Sequence, residues 1–296
     1  MPQAQIKEII KRHLPGPGLK DTALRGVQLF HVTEPVPCIP AVYDPTIVAI
    51  VGGTKDAVLD GQHHVYDSSH YLLCPMTLPV EAGSPRASPE DPLLGVMIAL
   101  EPRVMRDLVI EVETASRVRP RPDGTRPQAL ALARWDSRFA DALLRLLELL
   151  DDPVDAAVLG PARLRELHYA VLMGEAGHAA RRAFGVDNAI ARVIDHLSSH
   201  LNAPVSVDEL AARAGMSRPV FHRRFKEATR MSPIQFVKAM RLNHAAMKIA
   251  EGKTVSEAAW QAGFASASQF SREFKRSYGR SPRQWRDEAQ MSLRQG

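Results

Sequence analysis

The sequence predicts a two-domain α+β protein. A small antiparallel β-barrel or sandwich with a pair of helices behind it comes first, then an all-α domain of two helix-turn-helix units joined by a long helix. Three observations predict it. Short apolar runs separated by turn residues fill positions 24–100, apolar residues recur at three- and four-residue spacing from 135 to 172, and the block Val207–Phe236 returns as Val255–Trp285. A chain of 296 residues has room for two domains at about 100–200 residues each. With 45% hydrophobic and 24% charged residues, wholesale disorder is excluded.

Residues 1–20 begin with a short helical pattern (Ile6, Ile9, Ile10) that ends at Pro15-Gly16-Pro17-Gly18. Strands are then expected at Val27–Val32 and Ile47–Val51, and a hairpin at Lys55–Leu59 and Gln62–Tyr66. The hairpin turn is Asp60-Gly61, a pair that tolerates the positive φ angles of a two-residue connection. Tyr71–Cys74 and Leu93–Leu100 complete the strand set, and the Pro- and Arg-rich stretch 116–128 reads as a mobile loop. Trp135, Phe139, Leu143, Leu146, Leu147 and Leu150 share one helix face, which Asp151-Asp152-Pro153 stops. Pro161 is expected to open a second helix carrying Leu164, Leu167, Val171 and Leu172, weakened after Gly174. This pair packs on the barrel or on a second copy of the chain. The domain boundary is placed near Arg182–Asp187, giving domains of 1–183 (barrel about 20–105, helices about 130–180) and 184–296.

The net charge of +5 is unevenly distributed. Residues 188–296 hold 18 Lys+Arg against 9 Asp+Glu, whereas residues 1–187 hold 20 against 24. A basic third behind a slightly acidic remainder is the asymmetry of a chain in which one domain meets nucleic acid. No apolar run approaches the roughly 18–20 residues of a membrane span, and the first twenty residues lack a signal-peptide core, so a cytoplasmic protein is expected.

The repeat carries the functional information. Ala214-Gly215 matches Ala262-Gly263, Phe221 and Phe225 match Phe270 and Phe274, and Ser232-Pro233 matches Ser281-Pro282. Each copy has a short, small-residue helix (Asp208–Ala214, Ser256–Ala262), then a glycine where the chain needs a left-handed residue, then a second helix. Ser217 and Ser266 are N-cap candidates for those second helices, and Pro219 falls in a first turn. The Phe pairs anchor each second helix to its core. The opposite faces carry Arg218, His222, Arg223 and Lys226 in one copy and Ser268, Gln269, Arg272 and Lys275 in the other. These side chains can donate to phosphates or base edges, as a helix in a major groove must. Pro233–Ala250 contains no interior breaker. At 1.5 Å per residue it gives a rod of roughly 27 Å, long enough to set two recognition helices about one DNA turn apart, roughly 34 Å.

At Gly263-Phe264-Ala-Ser266-Ala-Ser268-Gln-Phe270-Ser-Arg272-Glu-Phe274-Lys275 and Tyr278-Gly279-Arg-Ser281-Pro282 the chain closely resembles the C-terminal signature of AraC/XylS-type transcription regulators. Arg241-Leu242-Asn-His-Ala245 is similar to the family's linker-helix pattern. The resemblance implies sequence-specific binding of double-stranded promoter DNA, RNA polymerase as a partner and activation as the expected sense. It places base contacts at Pro219, His222 and Arg223 and at Ser268, Gln269 and Arg272. Ser217 and Ser266 match capping and phosphate-contact positions, and Pro219 and His222 stand where larger polar or aromatic residues are common. The first 180 residues resemble, more weakly, one subgroup's N-terminal domain through Tyr43-Asp-Pro45, Gly52-Gly53-Thr-Lys55, Tyr66-Asp67, Tyr71–Leu73, Leu78–Val80 and Ala87–Pro89. That implies a cupin-like barrel that senses a small-molecule effector, forms a homodimer, or does both.

A cupin-like barrel raises the question of a metal. His63 and His64 are adjacent on a strand and point to opposite faces, and with His70 they read as exposed hairpin histidines; no metal and no cofactor are expected. Cys38 and Cys74, each near a proline, are sensor candidates, although inert buried thiols are the commoner case. No GxSxG, HExxH, Walker loop or GxGxxG with its acid is present, so no enzyme is expected. Two other readings stay open: a cupin-type metalloenzyme with a DNA-binding tail, and a non-specific architectural DNA binder.

Overall fold

The computed structural model describes residues 2–116, 129–185 and 188–295. The elements in order are α1 (Pro2–His13), β1 (Gly18–Asp21), β2 (Val27–Val32), β3 (Val36–Tyr43), β4 (Thr46–Gly52), β5 (Lys55–Leu59), β6 (Gln62–Tyr66), β7 (His70–Cys74), β8 (Leu78–Ser84), β9 (Leu93–Ala99), α2 (Pro102–Ser116) and β10 (Ala131–Arg134). There follow α3 (Ser137–Glu148), a 3-10 turn, α4 (Pro153–Met173), α5 (Gly177–Phe184), α6 (Ala189–Ser199), α7 (Val207–Arg213), α8 (Arg218–Thr229), α9 (Pro233–Ala250), α10 (Val255–Gln261), α11 (Ala267–Tyr278) and α12 (Pro282–Gln295). The expected α+β order, strands first and helices after, is the one observed. The loop expected over 116–128 lies, from residue 117 on, outside the described residues.

Packing divides these residues into two units. The first comprises 1–38, 44–76 and 82–188; the second comprises 39–43, 77–81 and 189–296. The chain therefore crosses between units more than once, through the middle of β3 and the first half of β8, where a single cut near residue 184 leaves both strands in the first.

The strands form two sheets, one of order β1-β2-β9-β4-β7-β10 and one of order β3-β8-β5-β6. The β5–β6 hairpin has the expected register, with Leu59 opposite Gln62 and Lys55 opposite Tyr66. Its two connecting residues have φ of 49° at Asp60 and 74° at Gly61, the pair of positive angles that a tight turn matched to strand twist requires. Strand β3 escapes the sequence patterns because Pro37 and Pro40 interrupt it. The fold places it at a sheet edge, where a missing donor breaks the fewest ladder bonds. Strands β1, β8 and β10 and helix α2 are likewise absent from the sequence expectation.

Helices α1 and α3 pack on the six-stranded sheet and on each other, burying Ile6, Ile9 and Ile10 from one and Phe139, Leu143, Leu146 and Leu147 from the other. The ring of Phe139 stacks on Tyr71 of β7 at 4.0 Å between centroids. Pro161 does not open the following helix. Asp152 does so, accepting from the backbone N–H groups of Val154 and Asp155 with Pro153 in the first turn, and α4 runs on through Pro161. An interior proline costs about 3 kcal/mol in an isolated helix. Here Leu167, Val171 and Leu172, all fully buried, supply the packing that offsets it.

One buried group in α4 makes the first unit sensitive to acid. His168 is 2% exposed, and desolvation pushes its pKa down to about 4, against weaker opposition from the Ala99 backbone and Glu101. The folded value lies below the unfolded one, so the unfolded chain takes up the proton first and stability falls as pH drops through 6.5 toward 4. About 2 kcal/mol is expected to be lost between pH 7.5 and pH 5 from this group. Urea midpoints at the two pH values in wild type and His168→Gln check it: the variant should lose most of that dependence.

Candidate nucleic-acid interface

The two helix-turn-helix units lie wholly in the second unit of the fold. In the first, α7 is capped by Ser206, whose side chain accepts from the N–H of Glu209, and α8 follows after Gly215. In the second, Thr254 and Glu257 form a reciprocal capping box at the start of α10, and Ser266 caps α11 by accepting from the N–H of Gln269. Ser217 occupies the equivalent extended position before α8, without a side-chain cap bond. Gly215 has φ +65° and Gly263 +78°, the left-handed conformation anticipated at both turns. At Gly263 space is also absent, since a Cβ would lie 2.8 Å from both Cα of Asn202 and the Leu201 carbonyl oxygen.

Each recognition helix is held from beneath. Phe221 and Phe225 are fully buried, and Phe225 meets Phe236 of α9 edge-on at 5.3 Å. Phe270 and Phe274 are fully buried among Leu242, Ala245, Ala246, Ile249, Ala258, Ala259 and Ala262, with Tyr278 and Trp285 packed against the cluster. The alanines on α9 and α10 let those helices close on the aromatic rings. Helix α9 spans the full 18 residues from Pro233 to Ala250 and opens with a capping box between Ser232 and Gln235.

The outward faces are polar and accessible. Ser217, Arg218, Pro219, His222, Arg223 and Lys226 are all exposed on or just before α8, and Ser268, Gln269, Arg272 and Lys275 are exposed on α11. Ser266 is half-buried, and its hydroxyl is 2.8 Å from that of Ser268. Arg218 reaches Asp208 at 3.3 Å and Arg223 lies 4.0 Å from Glu227. Both pairs are open to solvent and hold their arginines weakly, so a phosphate can replace the carboxylate at little cost. Arg272 has no ion pair among the described residues. On the flank of α11, Glu273 binds Lys238 of α9 and Arg276 of its own helix, tying the recognition helix to the connecting helix.

Sequence reasoning does not assign roles to two residues that position this frame. Arg241 of α9 donates from Nε to the Leu201 carbonyl and from its terminal nitrogen to that of Ala203, each at 2.7 Å. It thereby closes off the chain after α6. Asn243, 6% exposed, donates to the carbonyls of Ala41 at 2.7 Å and Val80 at 2.9 Å, and accepts from the Tyr278 hydroxyl at 2.7 Å. Its signal in the sequence is a single amide on the apolar stripe Leu242–Ala245–Ala246–Ile249.

The cysteines separate. Cys74 is fully buried, donates to the Met76 carbonyl at 3.1 Å, and has its thiol pushed far above the ordinary range by burial. It fits the inert thiol. Cys38 on β3 is half-buried. His63 is exposed and His64 and His70 are partly so, and no three His, Cys, Asp or Glu side chains converge as a metal set among the described residues. No helix among the described residues is long and apolar enough to cross a membrane.

Two helix-turn-helix units on a shared connecting helix, in a chain whose first unit is a double-sheet barrel with helices, define a regulator-type architecture. The family profile described as "AraC-type transcriptional regulator N-terminus" matches residues 23–179, and a "Helix-turn-helix domain" profile matches residues 210–288. The chain belongs to the AraC-type transcriptional regulators. It is 38% identical over 89 residues to the probable transcriptional regulator LumQ of Photobacterium leiognathi, covering 30% of this chain and 36% of that protein. It is 38% identical over 100 residues to the HTH-type transcriptional regulator MtrA of Neisseria gonorrhoeae, covering 33% and 32%. The chain thus spans about a third of the length of these curated relatives. Across both units the fold is similar to that of ToxT from Vibrio cholerae (TM-score 0.56, 12% identity, covering 90% of this chain and 97% of that one). ToxT has also been solved with an unsaturated fatty acid bound (TM-score 0.52, 12% identity, covering 86% and 92%).

Proposed function

We propose that the protein is a sequence-specific DNA-binding transcription activator of the cytoplasm whose first unit senses a small-molecule effector. The observation that carries the reading is the pair of recognition helices. Each is anchored by two buried phenylalanines and presents an exposed face, with the donors Arg218, His222, Arg223 and Lys226 beside Pro219 on α8 and the donors Ser268, Gln269, Arg272 and Lys275 on α11. Arginine and glutamine pair with guanine and adenine edges in the major groove, while lysines and serine hydroxyls hold phosphates and fix register. Ser217 and Ser266, at the mouths of the two helices, serve as phosphate contacts. The family membership supports promoter DNA as the partner, with RNA polymerase engaged by the activator there. No catalytic step belongs to this reading.

A homodimer is the second partnership proposed. Val154 and Val158, one helical turn apart on α4, are 68% and 69% exposed, an apolar ridge facing away from the intrachain packing of that helix. Effector sensing by the first unit is supported by the likeness in fold to ToxT, which binds a fatty acid.

A gel shift on the promoter of the operon neighbouring the coding region tests the central claim. Unlabelled specific duplex is expected to compete at least about a thousandfold better than a scrambled duplex at fixed salt. Equal competition, with affinity set by salt alone, marks an architectural binder instead.

A further inference from the structure

Within the second unit one buried amide ties together residues far apart in the chain. Asn243 of α9 is 6% exposed, and its Nδ2 donates to the carbonyl oxygens of Ala41 at 2.7 Å and Val80 at 2.9 Å. Its Oδ1 accepts from the Tyr278 hydroxyl at 2.7 Å. The partners fix the orientation of the amide. Carbonyl oxygens only accept, so the NH2 group faces Ala41 and Val80 and spends both of its donors on them. Burial, and after it the charge of Glu81, holds the Tyr278 phenol above its ordinary pKa, so the hydroxyl keeps the proton it donates.

The two ends of this link differ in kind. Ala41 and Val80 lie in the stretches 39–43 and 77–81, which pack with the second unit although β3 begins and β8 ends in the first. The two strands are neighbours in one sheet. Tyr278 is the last residue of α11, and its ring meets Phe274 at 4.6 Å and Trp285 at 5.7 Å. A displacement of the strand pair therefore reaches the aromatic cluster beneath α11 through a single side chain. A buried polar network of this kind is made or broken rather than stretched, because each lost bond leaves a buried group unpaired.

The first repeat has no such link among the described residues. Thr229 stands in that copy where Tyr278 stands in the second, between matching Phe225/Phe274 and Ser232/Ser281. Its hydroxyl lies 2.8 Å from the Phe225 carbonyl oxygen and 3.0 Å from that of Met231, so it closes on its own turn.

We propose that Asn243 is a positioning residue through which β3 and β8 regulate α11 alone: the strand pair sets the second recognition helix, and the first stands outside the coupling. This deepens the promoter-binding reading and rests on it. Coupling between two sites is reciprocal, so DNA held by α11 must act back on the strand pair.

Amide hydrogen exchange of the full chain, followed by mass spectrometry with and without the duplex identified by the gel shift, tests it. In the wild type the duplex is expected to slow exchange in 39–43 and 77–81 by at least about fivefold, the lower end of ordinary coupling between sites. Tyr278→Phe keeps the ring and its packing but removes the donor. It is expected to abolish that response while still binding the duplex, and to change base preference only in the half of the site where Arg272→Ala acts. Asn243→Leu cuts the link at both ends and is expected to do the same; if it does not fold, Tyr278→Phe decides alone. A wild type that binds the duplex with unchanged or faster exchange in the two stretches overturns the proposal and leaves the promoter reading intact. So does a Tyr278→Phe chain that responds as the wild type does, or one whose base preference is unaltered or altered across both halves. A wild type that binds no duplex specifically overturns the promoter reading itself, and the proposal with it.

Discussion

Phe274→Ala is expected to destabilise the second unit by about 3–5 kcal/mol. The ring is fully buried, meets Phe270 at 5.3 Å, Tyr278 at 4.6 Å and Trp285 at 5.9 Å, and packs in a cluster otherwise rich in alanine. Small neighbours cannot swing into the space, so a cavity remains and the cost lies toward the upper end of that range. Thermal unfolding followed by near-ultraviolet dichroism of Trp285 reads the loss. Promoter affinity should fall for every sequence alike, because the helix that carries the contacts is no longer held. A variant that keeps the wild-type melting profile would mean that the cluster does not support α11.

Arg272→Ala, two residues away on the same helix, is expected to behave in the opposite manner. The side chain is exposed and carries no ion pair among the described residues, so the melting profile should stay within about 0.5 kcal/mol of wild type. If the guanidinium makes a two-pronged contact with a guanine, its removal costs about 1–3 kcal/mol on the cognate duplex and relaxes preference at one base pair. Binding measured across all four bases at each position of the site identifies that pair. A uniform loss across sequences, with a shallower salt dependence, would make Arg272 a phosphate contact instead. Together the two variants separate what holds the helix from what the helix reads.

The elements legible in the sequence are those whose cause is local. Asp60-Gly61 makes its turn because both residues accept positive φ, whatever surrounds them. Gly215 and Gly263 end their helices for the same reason. The buried phenylalanines of α8 and α11 follow from four-residue spacing on a helix, and α9 follows from eighteen residues with no interior breaker. The exposed donor faces opposite those phenylalanines are legible on the same ground, as is the charge asymmetry that points to nucleic acid.

What the pattern could not show depends on partners distant in the chain. Pro161 looks like a helix start, yet Asp152 starts the helix and packing carries it through the proline. The strand β3 is hidden by two prolines that only an edge position tolerates. Asn243 reads as an ordinary helix residue until Ala41, Val80 and Tyr278, up to 202 positions away, are brought within hydrogen-bond distance of its amide. Lys55 is only the first residue of a hairpin strand until the second sheet brings Phe30 to 5.7 Å from its ammonium. Backbone conformation and helical periodicity are set by neighbours within a few residues, so the order of amino acids suffices for them. Burial of a charge and satisfaction of a lone amide are set by which sheet closes over which side chain, and that is decided only when the chain has folded.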